Sequence, residues 1–97
     1  MKMLLVQHRD GSEWVNSTRE DLGISMHEQN TLALFYTIAE ADAYVAAMRG
    51  LMHAGGYGTE FRLMHVELRE PKTSAESQHY IDTGELTIVI GEQVVRS

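Results

Sequence analysis

The chain contains no cysteine. That absence excludes disulfides, thiolate zinc sites and cysteine nucleophiles, and it suits a reducing compartment. Proline occurs once, at Pro71. Basic side chains are scarce: 8 Lys and Arg against 14 Asp and Glu give a formal charge of −6. Such a balance disfavours direct nucleic-acid binding, which needs cations to neutralise phosphates, and suits basic protein partners. The acids are spread along the chain without a run of five, so a mimic of nucleic-acid charge has only weak support. Long apolar runs are missing as well. Met3 to Val6 is the longest at the start, too short for a signal peptide and far short of the ~20 residues a transmembrane helix needs. The expectation is a cytoplasmic protein with no membrane partner.

What is present fits a single domain over residues 1–97. A chain of this size buries a modest core, and an apolar fraction of 43% with 23% charged residues is globular rather than disordered. No linker, repeat or low-complexity segment divides it.

Met3 to His8 reads as a strand. Asp10-Gly11 then suits a type I′ hairpin turn, with Trp14 on the returning arm. "NSTREDLGISMHEQN" reads mostly as loop, although Ser17 and Glu20 have capping-box spacing and Gly23 suits a helix stop. "TLALFY", Thr31 to Tyr36, is a second strand. Thr37 and Glu40 form a T-x-x-E box that opens a helix from about Ile38 to Ala54, closed by Gly55-Gly56. At 100° per residue, Ile38, Ala41, Val45, Met48 and Met52 share one core-facing stripe. "EFRLMHVELRE" is a third strand, ending before Pro71. Thr73 and Glu76 repeat the box spacing and suit a short helix. "ELTIVI" is the last strong strand, with Gly91-Glu92 available to turn it into a short arm. The expected fold is α+β, with ββαβ(β)-like order. It is an antiparallel sheet of four to five strands with one long helix packed on one face.

Candidate chemistry is sparse. The histidines His8, His27, His53, His65 and His79 show no i, i+4 pair and no His-x-His, so no helical zinc site is indicated. Three follow methionine, but Met64 and His65 on one strand point to opposite faces and cannot chelate together. "GGYG" follows a helix and precedes a strand, the reverse of a phosphate-cradling loop, so it reads as a helix stop. Glu70-x-Lys72 has the spacing of part of a nuclease-like cluster, yet no second acid is identifiable, and no G-x-S-x-G elbow occurs. These residues indicate no catalytic group, metal or cofactor, and the expectation is non-enzymatic.

The helix has one unusual property. Opposite its core stripe lie Ala39, Ala43, Ala46, Ala47, Gly50 and Ala54, interrupted only by Glu40. A solvent face usually carries Lys and Glu, and Gly50 costs roughly 1 kcal/mol relative to alanine inside a helix. Small residues allow close backbone approach, so this row is the candidate docking face, with Tyr57 and Trp14 as aromatic contacts.

"FYTIAEADAYVAAM" followed by "FRLMHVEL" resembles a unit found in small proteins of bacteriophages and mobile elements. That unit is an aromatic-ending strand, a capped helix and an edge strand ending Val-x-Leu. Several anti-CRISPR proteins are similar in size, acidic balance, sheet layout and want of a catalytic signature, over about Leu34 to Leu68. The resemblance implies a protein that binds and blocks a host nucleic-acid-handling complex in the host cytoplasm. Such inhibitors share no single set of contact residues, so it assigns no functional position. The alternative from the residues is a dimeric, ferredoxin-like α+β barrel that binds or transforms a small molecule. Its support is that the third strand is apolar on both sides, and His8 or His65 would act in its pocket.

Overall fold

A computed structural model describes residues 1–18, 25–27, 30–54, 60–77, 80–82 and 87–95. In chain order the strands and helices are β1 (Lys2–Asp10), β2 (Glu13–Asn16), β3 (Ser25–His27), β4 (Asn30–Thr31), β5 (Leu34–Phe35), α1 (Ile38–Ala54), β6 (Phe61–Leu68), α2 (Ser74–Ser77), β7 (Tyr80–Asp82) and β8 (Thr87–Gln93). The fold is α+β. Its main sheet is antiparallel, in the order β2-β1-β6-β8-β7, with β5 added beside β1. That makes six strands where the sequence indicates four to five, and β3 and β4 form a separate two-stranded pair.

β1 organises the sheet because it is apolar at both parities. Met3 to Gln7 are buried in an unbroken run, and a strand buried on both faces needs cover above and below. One side chain set (Leu4, Val6, Ala33, Phe35, Leu63 and Val94) packs with Ala41 and Val45 of α1. The other set joins Met3, Leu5, Leu32, Leu34, Met64, Val66 and Ile88. This second cluster draws on β5 at one side of the sheet and β8 toward the other, with Ile81 of β7 packed against it, so the sheet curls around it. Leu5 and Val6, neighbours on opposite faces, are both 0% exposed.

The hairpin between β1 and β2 departs from the sequence expectation. Asp10 pairs with Glu13, so the loop is Gly11-Ser12. Gly11 has φ +64° and no non-glycine residue has positive φ among the described residues, whereas a type I′ turn needs two such positions. Glycine at the first central position alone is the type II′ pattern.

"TLALFY" is also not one strand. Thr31 belongs to β4, Leu32 bridges to Thr18, and only Leu34 and Phe35 pair with β1. The cause is a three-way junction. The Val6 amide donates to the Ala33 carbonyl, the Ser17 amide to the Val6 carbonyl, and the Ala33 amide to the Ser17 carbonyl, all at 2.9–3.0 Å. Here β2 leaves the edge of β1 and β5 takes its place. The capping partner expected for Ser17, Glu20, lies outside the described residues, as does Gly23. Ser17 is buried at this junction, with its Oγ 2.8 Å from His8 Nδ1.

α1 has the expected bounds. The Glu40 amide donates to Thr37 Oγ1 at 3.2 Å, and the Thr37 hydroxyl donates to the Glu40 carboxylate at 3.0 Å. Ala41 and Val45 are buried and Met48 is half-buried, but Ile38 is 45% exposed, so the core stripe begins a turn later than its periodicity suggests. Tyr44 fixes the other shoulder. Its ring lies 5.3 Å from Phe35, and its hydroxyl donates to the Thr18 carbonyl at 2.9 Å. α2 opens on a reciprocal box: the Glu76 amide donates to Thr73 Oγ1 and the Thr73 amide to the Glu76 carboxylate. Gly91 does not turn the chain. It lies in the irregularity opposite His65 within β8, where an added Cβ would sit 3.2 Å from the His65 carbonyl oxygen.

Candidate functional site

The outer face of α1 is the first surface. Ala39, Ala43, Ala46, Ala47 and Gly50 are all exposed, and an added Cβ at Gly50 would meet nothing within 4 Å. Ala54 ends the helix, and Tyr57 lies outside the described residues. Two apolar side chains missed by the pattern reading stand where α1 begins: Tyr36, 67% exposed, and Ile38. Their signal in the sequence is slight. Tyr36 sits one residue beyond the last paired position of β5, and Ile38 falls at the margin of the core stripe.

Trp14 is elsewhere. It pairs with Arg9, on the sheet face opposite α1, and is half-buried. The Arg62 guanidinium lies 4.4 Å from its ring centroid and that of Arg9 lies 5.7 Å away. Arg62 Nε also donates to Gln7 Oε1, and Gln7 Nε2 to Asn16 Oδ1, both at 2.8 Å. Burial holds the Arg62 guanidinium below its usual pKa. Trp14 is thus the apolar bed of a cross-strand arginine network. The structure does not bring it together with the alanine row.

Between α1 and the end of β8 lies an open cleft of about 680 Å³. Asp42, Val45 and Arg49 of α1 form one wall, Phe61 to Leu63 of β6 the floor, and Gln93 to Val95 the far side. It exists because α1 packs toward β1 and β5 and leaves the far part of the sheet uncovered. Val95 is 92% exposed at its rim. Arg49 lies 5.8 Å from the Phe61 ring centroid, and among the described residues no carboxylate pairs with it.

A smaller groove of about 270 Å³ runs past Lys2, His65, Glu67 and Arg69. Its charges are internally matched. Arg69 bonds Glu67 at 3.0 Å and pairs with Glu76, which also accepts the amides of Lys72 and Thr73. Arg69 and these amides hold the Glu76 carboxyl down to about 2, and Arg69 holds Glu67 below the ordinary carboxylate range. Such acids are anchors for the Pro71 connection rather than proton donors. The His8–Ser17 contact does not make a nucleophile either, because Ser17 is 3% exposed and has no path to a substrate. Among the described residues, no three His, Asp or Glu side chains gather as metal ligands, and no helix is long and apolar enough to cross a membrane.

Comparison of the chain with protein-family models, with curated proteins and with solved structures gives no match.

Proposed function

We propose that this chain is a protein-interaction domain that occupies a partner's surface through the outer face of α1. The partner class follows the sequence resemblance: a host nucleic-acid-handling defence complex, blocked by a phage-encoded inhibitor in the host cytoplasm. The observation that carries the reading is the exposed row Ala39, Ala43, Ala46, Ala47 and Gly50, continued by Tyr36 and Ile38. Short side chains let a partner backbone approach, and the exposed aromatic supplies the kind of anchor that concentrates binding energy. A net charge of −6 favours a basic partner surface.

The test compares capture of partner from a bacterial lysate by the tagged wild type and by the double variant Ala43→Glu, Ala47→Glu. Both positions are exposed, so stability should stay within about 0.5 kcal/mol of wild type. The expected result is a folded variant that no longer captures the partner. A folded variant that still captures it removes the helix face from the mechanism.

The dimeric-barrel alternative rested on a sheet apolar on both sides with only one helix to cover it. Within a single chain the second face is already closed, since Leu5 and Ile88 are 0% exposed.

A further inference from the structure

The patch around Trp14 has a chemistry that the docking face lacks. Cross-strand pairing sets Asn16, Gln7 and Arg62 in one row across β2, β1 and β6, with Trp14 and Arg9 in the next row. All five share the sheet face of Leu5 and Met64, away from α1.

The hydrogen bonds along the first row can run in only one direction. A guanidinium donates and never accepts. Arg62 Nε therefore fixes the Gln7 side-chain oxygen toward itself at 2.8 Å, which leaves Gln7 Nε2 to donate to Asn16 Oδ1, also at 2.8 Å. Asn16 Nδ2 is then the end of the row, with two hydrogens to give. Gln7 is 6% exposed, so this relay is anchored in the sheet and holds the arginine in place. Stacking of the Arg62 guanidinium 4.4 Å from the Trp14 ring centroid does the same.

What remains unsatisfied is of one kind. Among the described residues nothing accepts from the Arg62 Nη atoms or from Asn16 Nδ2, and no carboxylate lies within ion-pair distance of Arg62. Arg9, 5.7 Å from the same ring, adds a second cation. Its pairing with Glu60 at 3.6 Å joins two exposed side chains and neutralises it little. A cluster with donors to spare calls for a ligand made of acceptors, and two guanidinium groups call for an anion. A tetrahedral phosphate offers three oxygens to the three donor side chains, where a carboxylate offers two. The fourth oxygen is left for an ester link. A diester keeps only two free oxygens and a single charge.

We propose that Arg62, Asn16 and Arg9, set around Trp14, form a binding site for a phosphate monoester group, with free phosphate as its smallest form. Trp14 is the only tryptophan of the chain, so its emission reports the site. Inorganic phosphate and methyl phosphate, titrated into the full chain at constant pH and ionic strength, should each give a saturable change. Dimethyl phosphate and acetate should bind roughly tenfold more weakly, the order of one charge-assisted hydrogen bond. Asn16→Asp keeps an acceptor for Gln7 and replaces the outward donor with a charge, so it should lose phosphate binding while melting as the wild type does. Arg62→Lys keeps the charge without the fork and should weaken phosphate roughly tenfold. Arg49→Gln, on the helix side, should leave it unchanged. No saturable change, wild-type phosphate affinity in folded Asn16→Asp or Arg62→Lys, or dimethyl phosphate or acetate binding as tightly as phosphate would each overturn the site. It stands apart from the docking face, so Ala43→Glu with Ala47→Glu should bind phosphate as the wild type does.

Discussion

Truncating Leu5 to alanine tests whether this chain closes its own sheet. Leu5 is 0% exposed and sits in the cluster away from α1, among Leu32, Leu34, Met64, Val66 and Ile88. Apart from Leu32, which bridges to Thr18, those neighbours come from several strands hydrogen-bonded into one sheet, so they have little freedom to collapse into the space. Leucine-to-alanine changes at such sites cost about 2–5 kcal/mol through lost transfer energy plus a residual cavity. A domain of this length holds on the order of 5–15 kcal/mol in total, so the loss is a large share of it. Urea unfolding followed by far-UV circular dichroism reads it directly. With a slope of about 1–3 kcal/mol per molar, the midpoint should fall by roughly 1–3 M. Self-closure adds a second requirement: the midpoints of wild type and Leu5→Ala should both be independent of protein concentration. A loss below about 1 kcal/mol, or a wild-type midpoint that rises with concentration, would show that a second copy covers this face.

Two further outcomes follow from single residues. Glu76 is held down to about 2 by Arg69 and by the Lys72 and Thr73 amides. Its folded pKa is below the unfolded one, so its contribution is fully present above the ordinary carboxylate range, near 4.3, and is lost as pH falls from there toward about 2. Carboxyl-carbon NMR titration should show this, and Arg69→Ala should move Glu76 upward; an unmoved value would remove Arg69 as the cause. Gly50→Ala should raise the thermal midpoint, because an added Cβ meets nothing within 4 Å and alanine gains about 0.5–1 kcal/mol over glycine inside a helix. If the missing side chain serves close approach of a partner, the same variant should bind its partner less well while melting higher.

α1 was readable because everything that defines it is local. A threonine at the cap, a glutamate three residues on, a 3.6-residue apolar stripe and a glycine pair all lie within one stretch of chain. β6 was readable for the same reason. The errors sit where non-local pairing decides. "TLALFY" has β-compatible residues throughout, but whether it forms one strand depends on Val6 and Ser17, and no pattern within those six residues records that junction. The hairpin error has a different origin: Asp-Gly and Gly-Ser both offer a plausible two-residue turn, and the pairing of Asp10 with Glu13 chooses between them. The arginine bed around Trp14 was invisible because Arg9 and Arg62 reach it from different strands. The cleft was invisible because it depends on what α1 leaves uncovered.

The alanine row acquires a physical explanation once α1 is seen in place. Its buried contacts are few and small: Ala41 and Val45 enter the core and Met48 goes part of the way. A helix held by so narrow a stripe exposes a wide arc, and in a solitary domain that arc would be expected to carry charge. Here charge sits at the margins instead, with Glu40 on one side and Asp42 and Arg49 on the other, where the two latter residues border the cleft. The centre of the arc stays uncharged and nearly flat. Helix stability accounts for alanine at these positions, since alanine is the best helix former. It does not account for Gly50, which weakens the helix and relieves no clash among the described residues. Under the proposed function, that cost is offset by the closer approach the missing side chain gives a partner's backbone. That singles out the middle of α1, rather than the sheet or Trp14, as the surface to test first against a partner.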